Sequence, residues 1–299
     1  MSRSELTPPL FLRGRELRPT PARPLVMGIV NASPESFFDG HEVGSTEDQI
    51  ARALAMHDDG ADLIDVGGES GVTDLPAVTA QEELERVLPI VERLAAEDAI
   101  VSIDTWKPEV ARGALEAGAA MVNDVSGLAD PGVAEACAET GAGLILTHTR
   151  AAPKQKSFPS YPDVVEDVVE RLRERMEAAR ALGMHAEQLV LDPGPDLAKT
   201  PADTITVLRA LPRLAGLGRP VLLAASRKDF VGALTGRSPR DRLAGTLAAI
   251  GVGLDLGASI LRVHDVPATL DYLAVRAALR GERDVDPDLR LDPGLRRVV

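Results

Sequence analysis

Eight short apolar runs, each followed by polar or glycine-containing residues and then by a segment of helical periodicity, constrain this chain more than any other feature. They occupy residues 25–30 (LVMGIV), 62–66 (DLIDV), 100–103 (IVSI), 120–122 (AMV), 143–146 (GLIL), 189–191 (LVL), 220–224 (PVLLA) and 260–263 (ILRV). Strands that alternate with helices imply a parallel sheet, and eight such units are the number that closes a (β/α)8 barrel. The intervening stretches EDQIARALAMHDDG, AQEELERVLPIVERLAAE and PEVARGALEAG are amphipathic, and several stop at a glycine suited to a left-handed cap. A length of 299 residues suits one barrel better than two ordinary domains. The expected organisation is a Pro-rich extension over 1–23, the barrel over 24–280 and a polar tail over 281–299, both ends being poorly ordered or peripheral.

Composition narrows the partners. The chain is 44% hydrophobic but only 3% aromatic, which predicts an aliphatic core of helices on parallel strands. A net charge of −13, with no concentrated run of Lys or Arg, argues against nucleic acid and anionic membrane and makes small molecules the default partners. No stretch resembles the apolar core of a signal peptide or reaches the length of a membrane span, so a soluble, cytoplasmic protein is expected. The single cysteine, Cys137, lies in EACAET, which reads as a helix interior with a structural role.

In an α/β barrel, active sites lie at the carboxyl ends of the strands. Here those positions read Asn31, Asp65 with Glu69, Asp104, Asn123 with Asp124, His148, Asp192, Ser226-Arg227-Lys228, and Arg262 with His264 and Asp265. An Asp after a strand also caps helices, and Asn also serves turns, so for any one of them either reading stands. Capping does not ask for Lys, Arg and His beside several carboxylates on one rim. That mixture suits a ligand with a hydrogen-bonding heterocycle and an anionic tail: carboxylates for heterocyclic N–H groups, a Lys for a carbonyl, and Asn, Arg and His for phosphate oxygens. His148, His264, Asp104 and Asp192 lack the local spacing of a dedicated transition-metal site, and Mg2+ arriving with a phosphorylated substrate is the expected cation.

These residues lie in segments that resemble the dihydropteroate synthase family over about residues 25–280. The ordered matches are VMGIVNASPESFFDG, GADLIDVGGES, SIDTWKPEVARGALEAGAAMVNDVSGL, DPG at 192–194, SRKDFVG at 226–232, RLAGTLAA at 242–249 and ILRVHDV at 260–266. The resemblance implies a pterin-binding TIM barrel that joins 6-hydroxymethyl-7,8-dihydropterin pyrophosphate to 4-aminobenzoate and works as a homodimer. It implies that Asp104, Asn123, Asp192 and Lys228 hold the pterin. Asn31, Arg262 and His264 would hold the pyrophosphate, Asn31 also reaching Mg2+, and Ser226 and Arg227 would lie near the arylamine. Asp104, Lys228 and Arg262 are the expected catalytic residues. The implied mechanism is dissociative, with pyrophosphate leaving before the amine attacks, so no protein nucleophile is required.

The chain departs from the family in two places. After GGES the family usually continues Thr-Arg-Pro-Gly, whereas this sequence reads Ser70-Gly71-Val72-Thr73-Asp74. In DPGPDLAKT, Leu197 replaces an aromatic that contacts aminobenzoate, and Asp196 stands where Gly is common. Two alternatives therefore stand beside the synthase: a pterin-binding paralogue with lost or altered transfer, and a methyltetrahydrofolate-dependent methyltransferase, which the SRK and Arg262-Val263-His264 segments disfavour. The long segment 149–163 carries Arg150, Lys154 and Lys156 beside Phe158 and Tyr161. It is expected either to cover the site, supplying the missing charge and aromatic wall, or to be a solvated loop.

Overall fold

The aliphatic runs become strands because both faces of each are covered, one by helices and one by the barrel interior. The structure, a computed structural model, describes residues 8–19, 23–33, 44–70 and 76–296. A hairpin of β1 (Leu10–Leu12) and β2 (Arg15–Leu17) precedes the barrel. Its strands are β3 (Leu25–Asn31), β4 (Leu63–Gly67), β5 (Val101–Asp104), β6 (Met121–Asp124), β7 (Gly143–Thr147), β8 (Leu189–Asp192), β9 (Leu222–Leu223) and β10 (Ile260–Val263). The spatial order is β8-β7-β6-β5-β4-β3-β10-β9, all neighbours parallel, and a bridge between Leu191 and Val221 brings β8 back to β9 and completes the ring.

The helices are α1 (Thr46–Asp58), α2 (Ala80–Ala96), α3 (Pro108–Glu116), α4 (Pro131–Thr140), α5 (Val164–Ala181), α6 (Pro201–Arg209), α7 (Leu211–Ala215), α8 (Asp229–Thr235), α9 (Leu243–Asp255) and α10 (Val266–Leu279). Their starts are written locally. Ser45, Thr79 and Thr200 form capping boxes with Asp48, Glu82 and Asp203, and Asp163 accepts from Val165 N and Glu166 N. Cys137 lies inside α4, fully buried, and burial pushes its thiol far above the usual range. Among the described residues no helix is long and apolar enough to cross a membrane.

The core has two parts, separated by the period of two along each strand. Val26, Val30, Ile64, Val66, Val122, Leu144, Leu146, Leu189, Leu191, Leu261 and Val263 point one way, into the layer beneath the helices. Leu25, Met27, Leu63, Met121, Ile145, Val190, Leu222 and Ile260 point the other way and fill the barrel near the amino ends of its strands.

Leu10 and Leu12 of the hairpin belong to this second cluster and are fully buried. The expectation of a peripheral amino-terminal head therefore fails for residues 8–19, which plug the barrel. A Cβ on Gly143 would run into the tips of Leu12 and Met121, so a larger residue at the start of β7 would push against the plug. Arg13 fastens the hairpin by donating to Leu115 O (2.8 Å) and Ala119 O (2.9 Å), and Arg219 Nη2 donates to Pro9 O (3.0 Å). At the other end of the chain, residues 283–296 are exposed.

Candidate active site

The inward side of each strand changes character along its length. Two residues beyond Leu63 stands Asp65, beyond Met121 stands Asn123, beyond Val190 stands Asp192, and beyond Ile260 stands Arg262. Asn31 keeps the parity of Met27, and Asp104 follows two residues after Ser102. The apolar floor of the barrel thus gives way to a polar layer at the carboxyl ends.

Arg262 ties that layer together. Its Nε donates to Asp65 Oδ2 (2.6 Å) and its Nη2 to Asp104 Oδ2 (2.7 Å), while Asn123 Nδ2 donates to the same Asp65 oxygen (3.0 Å). Burial pushes the Asp104 carboxyl above its usual range, and the Arg262 guanidinium only partly offsets that. Burial weakens the charged form of Arg262 too, but the carboxylates of Asp65 and Asp104 outweigh it and hold the proton more tightly than usual. Asp65 is fully buried, yet its Oδ1, like Asn123 Oδ1, has no hydrogen-bond partner among the described residues. Buried acceptors left this way are costly, and a ligand's N–H groups would relieve them.

Asp192 Oδ1 accepts from Gly194 N (2.7 Å); burial raises its carboxyl, and Lys228 is among the cations that draw both Asp104 and Asp192 back down. His264 and Ser226 share one orientation. Ser226 Oγ accepts from His264 N (3.3 Å) and lies 2.9 Å from His264 Nδ1, the direction of this second bond being set by the ring's tautomer. Burial, reinforced by Arg262 and Arg227, pushes His264 down to about 3. The ring is therefore neutral at pH 7, and the tautomer in which Nδ1 accepts from the Ser226 hydroxyl leaves an Nε2 proton for an anion. Arg227 is clamped by Asp265, through Nε (3.1 Å) and Nη2 (2.7 Å).

Other rim residues serve the scaffold. Asp124 has the outward parity of Val122 and spends its two oxygens on Ser126 N and Leu128 N, each at 2.8 Å. Glu69 and the fully buried Glu83 share Lys107. His148 Nε2 donates to Asp167 Oδ2 (2.8 Å), and its Nδ1 faces Lys199 Nζ (2.8 Å). The sequence reading missed Lys107, Glu83 and Lys199, because their partners lie on other elements. The strand parity of Asp65, by contrast, was there to be used.

Known proteins fit this geometry. The family described as pterin binding enzyme matches residues 27–264, the span from inside β3 to just past β10. The chain belongs to that family. The dihydropteroate synthase of Synechocystis is 40% identical over 280 residues, covering 92% of this chain and 97% of that protein. A protein named inactive dihydropteroate synthase 2, from Mycobacterium leprae, is 40% identical over 275 residues, covering 89% and 94%. The Xanthomonas albilineans dihydropteroate synthase structure with 4-aminobenzoic acid superposes with a TM-score of 0.83 at 45% identity, covering 92% of this chain and 98% of that one. Against the probable bifunctional folylpolyglutamate synthase/dihydropteroate synthase of Haloferax volcanii, 41% identical, the chain spans 31% of the longer protein.

Within this pterin-binding enzyme, residues 71–75 of the divergent loop, including Val72, fall outside the described residues. The preceding Ser70 is reached by Lys154, whose Nζ donates to Ser70 O (2.8 Å) and lies 3.8 Å from Glu69 Oε1. Segment 149–163 therefore does extend to that loop. Lys156 and Phe158 remain exposed. Tyr161 donates its hydroxyl to Ala198 O (2.8 Å) and packs against the aliphatic layer under the helices, so it braces the DPGPDLAKT loop from behind. Asp196 is also committed: its carboxylate accepts from Phe230 N (3.1 Å) and Thr204 Oγ1 (3.1 Å), joining this loop to α6 and α8.

The histidines give the pterin-binding enzyme a pH signature. Burial, then the Lys199 charge, pushes His148 down to about 3. The unfolded chain takes up this proton near pH 6.5 and the folded chain does not, so the stabilisation is complete above pH 6.5 and is lost as pH falls from there toward 3. Carboxyls raised by burial act in the opposite sense, so a difference measurement isolates the histidine. The pH dependence of stability in urea unfolding should be steeper for the wild type than for His148→Asn, the difference growing to about 1.4 kcal/mol per pH unit as pH falls from 6.5 to 5. Parallel pH profiles for the two proteins would refute the assignment.

Proposed function

We propose that this chain condenses 6-hydroxymethyl-7,8-dihydropterin pyrophosphate with 4-aminobenzoate, releasing pyrophosphate, as a dihydropteroate-synthase-type transferase of folate biosynthesis. The observation that carries the reading is the polar layer itself. Asp104, Asn123 and Asp192 offer acceptors for the pterin's N–H groups, with Lys228 beside them for its carbonyl. Arg262 Nη1, which has no protein partner among the described residues, and neutral His264, in the tautomer that accepts at Nδ1 from Ser226, offer donors for the diphosphate.

In the reaction the bond from the pterin methylene carbon to the diphosphate oxygen breaks, and a new bond forms from that carbon to the arylamine nitrogen, which loses a proton. Buried carboxylates near the pterin stabilise the positive charge that develops on it, while Arg262 and His264 stabilise the departing anion. Ser226 and Arg227, held by His264 and Asp265, are the candidate contacts for the second substrate.

A magnesium ion is assigned to Asn31, the last residue of β3, whose Oδ1 lies beside Gly67 at the same rim as Asp104. One protein oxygen at the rim suits Mg2+, which keeps most of its shell for phosphate oxygens and water. When bound through Asn31, the ion would neutralise charge on the leaving group. The working form is read as a homodimer in the cytoplasm; exposed Val252, Val275 and Leu279 on α9 and α10 provide apolar surface for a second copy.

Altered or lost transfer is the second reading. It is favoured by the absent Thr-Arg-Pro-Gly segment and by similarity to a relative named inactive. Purified protein given the pterin pyrophosphate, Mg2+ and 4-aminobenzoate should release pyrophosphate and form dihydropteroate in equal amounts. Pyrophosphate without dihydropteroate would replace the first reading by the second, and the appearance of neither, with pterin still bound, would identify a binding protein.

A further inference from the structure

Lys199 is among the largest fully buried side chains of the molecule, and no step of the proposed reaction uses it. Its Nζ sits among four acceptors: His148 Nδ1 (2.8 Å), His148 O (3.2 Å), Gly194 O (3.0 Å) and Leu197 O (3.1 Å). One of these carbonyls follows β7 and two belong to the loop that follows β8. Burial pushes this amine down to about 7, so near neutral pH it is present both charged and uncharged; the charged form gives three protons and the neutral form two, and in either form the four acceptors take up every proton it offers.

The loop it gathers needs holding. Gly194, Asp196 and Ala198 all have left-handed backbone angles, with φ of +63°, +63° and +51°. The last two are not glycine, and such residues stay there only when their surroundings enforce it. A Cβ on Gly194 would run into the carbonyl oxygen of His148, so the two loops touch backbone to backbone. The same loop presents the amide of Gly194 to Asp192 Oδ1 and carries Leu197 at the departure from the family pattern.

The acceptor side is fixed as well. Because His148 donates from Nε2 to Asp167, its Nδ1 lone pair is turned to Lys199. Burial pushes Asp167 upward, but hydrogen bonds from His148 and Arg150 outweigh that and hold it below the usual range. Arg150 belongs to segment 149–163, and its guanidinium lies over the Tyr161 ring at 5.2 Å. The chain Arg150–Asp167–His148–Lys199 thus runs from that segment to the carbonyls behind the site.

We propose that Lys199 and His148 are positioning residues, the buried Lys199 amine drawing two rim loops together through its hydrogen bonds so that Asp192 and residue 197 stand where the pterin and the arylamine meet. The inference rests on the transferase reading for its kinetic consequence but not for its structural one.

Asparagine and glutamine at position 148 separate the two arms, since an Asn oxygen takes roughly the place of Nδ1 and a Gln nitrogen roughly that of Nε2. Amide exchange over residues 194–198, dihydropterin affinity and steady-state kinetics are measured for wild type, Lys199→Met, His148→Asn and His148→Gln. Lys199→Met and His148→Gln should each speed exchange of these amides at least about tenfold, and His148→Asn by no more than about threefold. Where transfer is measurable, Lys199→Met should raise the KM for the arylamine about tenfold or more, a split that a general loss of stability does not produce well below the melting temperature.

Exchange and affinity within about twofold of wild type in Lys199→Met would overturn the proposal, as would equal damage from Asn and Gln at position 148. If Lys199→Met fails to fold, the position 148 pair still decides. If the wild type forms no dihydropteroate, the transferase reading fails alone, because exchange and pterin affinity continue to judge the brace.

Discussion

Replacing Asp192 with alanine is expected to weaken dihydropterin binding at least about tenfold while leaving the fold as stable as before, or more so. Asp192 ends β8, is 5% exposed, and has one oxygen fixed by Gly194 N. Among the described residues its second oxygen is uncommitted, so the carboxylate is both oriented and available. Hydrogen bonds from neutral donors to a buried charge are worth roughly 1.5–3 kcal/mol each, and no water path replaces them once the pterin is seated. Stability should move the other way. Burial alone raises this carboxyl's proton affinity, which means that the empty site bears the cost of an ionised Asp192. Calorimetry with a dihydropterin and urea unfolding give both numbers. A folded variant that binds within about twofold of wild type would place the pterin elsewhere.

Arg262→Met should do the opposite to stability. The guanidinium is the shared partner of Asp65 and Asp104, and Asp65 is fully buried. Removing one member of a buried ion cluster leaves uncompensated charge, and the loss is typically about 3–5 kcal/mol. Ligand binding should suffer in both halves of the site: the diphosphate loses a donor, and Asp104, released from its cation, rises further and presents the pterin with a protonated carboxyl. The deficit should shrink at low pH, where protonation of the carboxyls removes the stranded charge. A destabilisation below about 1 kcal/mol in urea would mean that Arg262 is not the hub of this layer.

The fold and most of the rim were legible because both depend on period-two and period-3.6 patterns that each segment carries by itself. Strand ends were read short for a physical reason. Asn31, Asp104, Asn123, Asp124 and Asp192 are polar, so hydrophobicity stops before them, yet the ladder continues: Asn31, Asp104 and Asp192 each end a strand, and Asn123 and Asp124 are the last two residues of β6. The amino-terminal head was misread because Leu10 and Leu12 sit in a short Pro-flanked stretch whose burial comes from the barrel interior, a cavity that no local pattern announces.

Taken alone, the residues of this chain determined the eight-stranded barrel, the end of it that bears the chemistry, and the kinds of side chain gathered there. These follow from alternation and spacing, which are properties of neighbours in sequence. Only the tertiary structure decided which polar groups work together. Asp65 meets Arg262 across 197 positions of chain, Lys199 meets His148 across 51, and Asp124 turns away to its own loop. Those choices rest on strand parity and on closure of the ring, which set distant carboxylates and cations within hydrogen-bonding reach and remove the water that would otherwise screen them.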